Sequence, residues 1–273
     1  MKRIVFIFSL LSVICSAQEF VVMTYNIRCD TPQDGVNSWS EGNRKERALT
    51  LITEQQPAIL GVQEALYNQV EDLETKLAEY QRIGVGRDDG NKKGEHMALF
   101  FRKDMFKLLD SGNFWLSQTP EIPSKGWDAT CCNRICTWVK LQYAGREFFV
   151  FNTHFDHEGQ QAQQQSAKLI LQKIKEIAKK KPVILMGDFN MTPDNLSVQL
   201  IAKKLYDTRY VASEEIKNKG TFNAFRTNEP LKGHIDYIFT TPDIKTIHYQ
   251  IIDKLIDKLY PSDHLPVVVT LKL

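Results

Sequence analysis

Residues 183–190 read Val-Ile-Leu-Met-Gly-Asp-Phe-Asn. Four apolar residues in a row, entered from Pro182 and left through Gly187, suit a buried strand better than an amphipathic helix, whose apolar positions recur at a longer period. Asp188 and Asn190 stand at the carboxyl end and point the same way on an extended backbone. An acid and an amide delivered side by side to the mouth of a sheet suit a hard metal ion or a reacting phosphate. A strand running into a turn is the plainer reading, because Gly, Asp and Asn all favour turns. What decides is whether other strands carry matching groups to the same place.

Working outward, the same pattern recurs. Residues 19–27 form a β-rich run with Asn26 near its tip, and 58–64 form another that ends in Gln63-Glu64. Glu95 leads into the apolar run 97–102. Segments 134–141 and 147–155 read as a strand pair turned at Ala144-Gly145, the second bringing Asn152, His154 and Asp156 in succession to one face. Asp236 lies within the run 234–239, residues 246–252 add a strand, and Asp263-His264 precede a last apolar strand. Helical spacing is expected over 40–56, capped by Ser40 and stopped by Pro57, and over 67–79, 158–180 and 194–204. Residues 115–129, with Pro120, Pro123 and Gly126, read as an irregular loop whose tryptophans cover core.

The chain of 273 residues is 42% hydrophobic, enough for a large core, and no linker or repeat divides it, so residues 18–273 are expected to form one domain. Residues 1–17 read as a signal peptide: Lys2 and Arg3, an apolar run from Ile4 to Leu11, then Ser16 and Ala17. The run is too short to span a bilayer. A lipid anchor at Cys15 is disfavoured by bulky Ile14 before it. Secretion or a periplasmic location is therefore expected, as a monomer without stable membrane insertion. Removing residues 1–17 takes away Lys2 and Arg3 and no acid, so the 35 Lys+Arg fall to 33, facing 33 Asp+Glu. A neutral mature chain lacks the bulk charge with which proteins grip long nucleic acids. Cys29, Cys131, Cys132 and Cys136 remain. A pair such as Cys132 with Cys136 can close a small loop in an oxidising compartment, and no histidine stands at zinc-ligand spacing.

Six β segments thus end in Asn26, Glu64, His154, Asp188 with Asn190, Asp236, and Asp263 with His264, which suggests that the tips converge. In order, Thr-Tyr-Asn26, Gln-Glu64, Asn-Thr-His154, Gly-Asp188-Phe-Asn190, Ile-Asp236-Tyr and Ser-Asp263-His264 resemble the motifs of the endonuclease/exonuclease/phosphatase superfamily, which includes DNase I. The resemblance runs from residue 20 to 273. It implies an α/β fold, a four-layer sandwich of two packed, mostly antiparallel sheets flanked by helices. It also implies hydrolysis of a phosphodiester or phosphomonoester by water, with Mg²⁺ or Mn²⁺.

Carried over residue by residue, the resemblance makes Glu64 the principal metal ligand, with Asn26 and Asp263 beside it. Asp188 positions or deprotonates the water and Asn190 binds a phosphate oxygen. His264, oriented by Asp236, serves as acid/base or charge stabiliser, and His154 stabilises the same charge with Glu95 behind it. The division of labour between Asp188 and His264 stays open. Arg134 is a candidate phosphate clamp, whereas His96, His157, His234 and His248 read as surface or packing residues. Substrate is not fixed by the fold. A DNase-like endonuclease, a sphingomyelin or phospholipid phosphodiesterase and a sugar or inositol phosphatase are all open, and a catalytically dead binding module is the contrasting class.

Overall fold

Apolar runs without alternation require strands covered on both faces. The computed structural model describes residues 19–273, so the signal-like segment 1–17 and Cys15 lie outside the described residues. One sheet holds β1 (Glu19–Asn26), β2 (Ile59–Gln63), β3 (Tyr80–Ile83), β4 (Leu99–Arg102), β11 (Lys245–Ile251) and β12 (Val267–Lys272), in the order β11-β12-β1-β2-β4-β3. The other holds β5 (Lys107–Trp115), β6 (Ile135–Tyr143), β7 (Arg146–His154), β8 (Val183–Asp188), β9 (Tyr206–Asp207) and β10 (Asp236–Thr240), in the order β5-β6-β7-β8-β10-β9. Helices α1 (Arg44–Gln55), α2 (Tyr67–Lys76), α3 (Gln160–Ala178), α4 (Leu196–Ala202) and α5 (Glu214–Lys217) complete the fold.

The layering follows from which side of each strand is apolar. In β1, Phe20 and Val22 enter the core between the sheets, while Met23 and Tyr25 pack with Leu49 and Ile52 of α1 and Leu73 of α2. In β8, Ile184 and Met186 face the other sheet, while Val183 and Leu185 pack with Ile170 of α3 and Ile201 of α4. The result is the four-layer sandwich expected from sequence. Among the described residues no helix is long and apolar enough to cross a membrane.

Each sheet is mixed in a way that explains the convergence of the strand tips. β1 runs parallel to β2 and β7 parallel to β8, each pair joined through a helix, α1 or α3, as a parallel crossover requires. Parallel register sets Asn26 beside Gln63 and His154 beside Asp188. β10 is antiparallel to β8, so its first residue, Asp236, meets Asp188. β12 is antiparallel to β1 and pairs Val267 with Thr24, immediately after the loop that carries Asp263 and His264. Six tips therefore share one end of the sandwich.

Close approach is bought with glycine at two points. Gly187 has φ +147, and a Cβ there would run into the carbonyl oxygen of Thr153. At Gly61 a Cβ would lie 2.8 Å from Met186 Cε of the facing sheet. Between the sheets, Asn152 donates to the carbonyls of Val62 (2.9 Å) and Ala98 (3.0 Å), and Gln63 donates to Asn152 Oδ1 (2.6 Å) and Thr24 (3.1 Å). Asn152 is thus a lock between the sheets. Local expectations differ at two places. α1 begins at Arg44 rather than at Ser40, whose hydroxyl instead donates to Asp30 (2.8 Å). β5 also runs on to Trp115, which the sequence assigned to a loop.

Asn152→Leu should lower unfolding free energy by about 2–4 kcal/mol, because it strands buried partners on both sheets. Adding Gln63→Leu should recover part of that loss in denaturant titrations. Purely additive losses would show that the two amides do not act as one lock.

Candidate active site

Strand ends alone do not aim side chains; the turns that follow do. Glu64 and Asn190 both adopt left-handed backbone, φ 64 and 52, costly for residues with a Cβ and sustained here by the contacts their side chains make. Asn26 donates to Glu64 Oε1 (3.0 Å) and to Asp188 Oδ2 (2.9 Å), bridging the two sheets. The backbone N–H of Cys29 donates to Glu64 Oε2 (3.2 Å), and that of Asn190 to Asp188 Oδ1 (2.8 Å). Asn190 Nδ2 donates to the Phe155 carbonyl (3.1 Å) and to His154 Nε2 (2.8 Å). Asp188 Oδ2 lies 3.3 Å from His154 Nε2 and 3.7 Å from His264 Nε2, while Asp236 accepts from His264 Nδ1 (2.9 Å).

These contacts split the two histidines. Burial opposes charge on His264, but Asp236, Asp188 and Asp263 outweigh it and hold its pKa well above the ordinary value. Burial, Arg134 and Arg87 push His154 well below its ordinary value. With the Asn190 amide on Nε2, neutral His154 carries its proton on Nδ1, which faces Glu95 Oε2 at 4.0 Å. Asp188 is raised to about 7 by burial and by Asp236, and Glu95 to about 7 by burial and by Glu64. Burial and Glu64 raise Asp263 too. Glu64 alone of the four is lowered, since the Asn26 hydrogen bond, His264 and Arg28 overcome its burial.

A cavity of about 330 Å³ opens over this cluster. Glu64, Glu95, His154, Asp188, Asn190, Asp263 and His264 line it as the sequence expected. Asn26 and Asp236 stand behind the lining. The NH₂ of Asn26 bridges the acids and its Oδ1 accepts from the Arg28 N–H (2.9 Å), so it holds Glu64 and Asp188 in place from behind the lining. Glu95 hydrogen-bonds Arg87 and keeps only the longer approach to His154. Arg134 reaches the cavity wall, 3.5 Å from Asp156 and 2.9 Å from His157.

Arg28, Arg87 and His157 line this cavity without having been expected from the sequence. Arg28 was signalled only by its place two residues after Asn26. Arg87 lies in a turn, and His157 follows Asp156 in a short connection, so neither had a period to betray it. The cysteines are corrected as well. The disulfide joins Cys131 to Cys132, whereas Cys136 is a free thiol in β6 buried among residues packed under α3. A Cys132–Cys136 loop is therefore not formed.

A hard divalent cation suits this donor set. Four carboxylates share one cavity and raise one another's cost of ionisation, and ligand atoms of Glu64, His154 and Asp188 lie within 4.8 Å of one another. Glu64 and Asp263 both bring carboxylate oxygens to the cavity lining.

In metal-free protein, ring-nitrogen NMR should find His264 doubly protonated at and above pH 6.5 and His154 neutral there. Because the folded His264 value lies above the unfolded one, its stabilising contribution is complete below about pH 6.5 and fades as pH rises through the folded value. Asp236→Asn should bring the His264 transition down. A His264 ring that loses its proton below pH 6.5 contradicts the charge assignment.

The Endonuclease/Exonuclease/phosphatase family profile matches residues 23–264. Three solved structures superpose closely. A Bacteroides vulgatus endonuclease/exonuclease/phosphatase is 39% identical with a TM-score of 0.85 over 94% of this chain and 99% of its own. A Bacteroides thetaiotaomicron protein of the same family is 36% identical with a TM-score of 0.87 over 94% and 98%. The mannosyl-6-phosphatase of Bacteroides thetaiotaomicron is 36% identical with a TM-score of 0.81 over 92% and 99%. Sequence match, fold and convergent site agree: the chain belongs to the endonuclease/exonuclease/phosphatase family of metal-dependent phosphoester hydrolases.

Proposed function

We propose that this protein is a secreted, Mg²⁺- or Mn²⁺-dependent phosphatase that releases inorganic phosphate from a sugar phosphate monoester. The observation that carries the site assignment is Asp188 Oδ2, set between the Nε2 atoms of His154 and His264 at 3.3 and 3.7 Å. The monoester reading is supported by arginines 28, 87 and 134 around a cavity of about 330 Å³, suited to a compact dianion. The neutral bulk charge expected after removal of residues 1–17 argues against a long polyanion. Similarity to a mannosyl-6-phosphatase points the same way. A disulfide at the cavity and the signal-like segment 1–17 favour an oxidising compartment.

Glu64 and Asp263 would hold the cation, with Asn26 fixing the orientation of Glu64. Bound there, the cation supplies Lewis-acid stabilisation of charge on the phosphoryl oxygens. Asp188, lifted to about 7 yet anchored by Asn26 and the Asn190 N–H, takes the proton of the attacking water at Oδ2. His264 begins charged, so it serves as the acid that protonates the leaving oxygen through Nε2, with Nδ1–H held on Asp236. Both amide hydrogens of Asn190 are committed, to His154 Nε2 and the Phe155 carbonyl, so Asn190 fixes His154 as the neutral tautomer while Arg134 binds the phosphate from the wall.

Glu64→Ala, Asp188→Asn and His264→Ala should each reduce phosphate release at least about 100-fold, and chelation should abolish it until Mg²⁺ or Mn²⁺ is restored. The assay compares sugar phosphates, phosphoinositides, sphingomyelin, DNA and RNA. Full activity of His264→Ala removes the acid assignment, and faster cleavage of DNA than of any monoester removes the phosphatase reading.

A further inference from the structure

We infer that the Cys131–Cys132 disulfide is the apolar wall against which the ring of the substrate's alcohol packs, so that it selects among phosphate esters. The inference rests on the monoesterase reading and adds the chemistry of the leaving group. A phosphate is satisfied by the charged lining, but the C–H face of its alcohol gains from leaving water only against apolar atoms. Among the cavity-lining residues, side chains without nitrogen or oxygen belong to Cys29, Phe222, Cys131 and Cys132. Cys29 is tied to Glu64 through its N–H, on the side where the cation is held. Phe222 stands edge-on to His264 with ring centroids 5.0 Å apart. The disulfide and Phe222 are thus the apolar surfaces away from Glu64, and of the two it is the disulfide that is joined to the phosphate-facing side, with Cys132 two residues before Arg134.

One short segment therefore offers both halves of a recognition element: a cystine for carbon and a buried guanidinium for phosphate. Sulfur is large and polarizable, which suits contact with a C–H face. Linking neighbouring cysteines also removes two freely turning thiols, so little side-chain entropy is lost when a ligand packs there. The segment is fixed on both flanks. Asn133 donates to the Arg87 carbonyl (3.2 Å), Thr130 hydrogen-bonds Glu158, and Lys125 donates to the Thr130 carbonyl (3.0 Å). Asp128 accepts from the backbone N–H groups of Gln161 (3.0 Å) and Ala162 (2.7 Å) at the start of α3. A wall so held keeps its distance from the reaction centre.

The test compares wild type with the Cys131→Ser/Cys132→Ser and Cys131→Ala/Cys132→Ala proteins. The substrates are a hexose phosphate and glycerol phosphate, whose acyclic alcohol has no ring to pack. Loss of the wall should raise KM for the hexose phosphate about tenfold with kcat nearly unchanged, and leave glycerol phosphate turnover as it was. Mild reduction of the wild-type protein should reproduce that selective loss and reoxidation reverse it, which covers the case in which neither variant folds. Equal losses on both substrates, or no change on either, overturn the inference, as does mass spectrometry that finds both thiols free in enzyme purified without reductant. If wild type hydrolyses no monoester, the phosphatase reading itself has failed and takes this inference with it. Turnover with an unchanged preference between the two esters rejects the wall alone.

Discussion

Burying a carboxylate between two sheets is the constraint on which the rest of this structure depends. Asp188 has almost no contact with solvent, and an isolated ionised acid there would be very costly. It is tolerated because Asn26 donates from the facing sheet, the Asn190 N–H donates from its own turn, and His264 brings a positive charge. Each of those partners has its own support. Asp236 holds His264, and Asn26 cannot bridge to Asp188 without also fixing Glu64. The catalytic cluster is one network, and removing one member leaves its neighbours buried and unpaired.

The fold supplies the coincidence that the network requires. A purely antiparallel sheet would alternate its strand ends between two edges. One parallel pair in each sheet sends β1 and β2, then β7 and β8, out on the same side, while β10 and β12 begin there. The sheets must also approach closely enough for an amide of one to reach an acid of the other. Gly61 and Gly187 remove the Cβ atoms that would hold them apart, and Asn152 ties them through backbone carbonyls.

Much of this could be read from residues because strand-tip chemistry is local. An apolar run followed by Gly-Asp188-Phe-Asn190, or Gln63-Glu64 after Val62, announces both a buried strand and a polar group at its end. What stayed hidden depends on where loops travel. Arg87 and His157 reach the cavity only because their connections fold back over it, and nothing in their own neighbourhoods distinguishes them from solvated residues. The cysteine pairing was hidden for a related reason: Cys136 falls on the side of β6 that packs under α3, which its spacing from Cys132 does not reveal. Asn26 was legible as a site residue but not in its contacts, since only the tertiary structure puts Asp188 within reach of its amide.

The proposed reaction requires metal and phosphate to meet over Asp188, between the two sheets. Anomalous diffraction from crystals soaked with Mn²⁺ and phosphate tests it most directly. The expected result is a manganese peak bonded to Glu64, with the phosphate against Arg134 and within hydrogen-bonding reach of Asp188. Manganese bound away from Glu64, or phosphate seated outside this cavity in a fully active crystal, would contradict it.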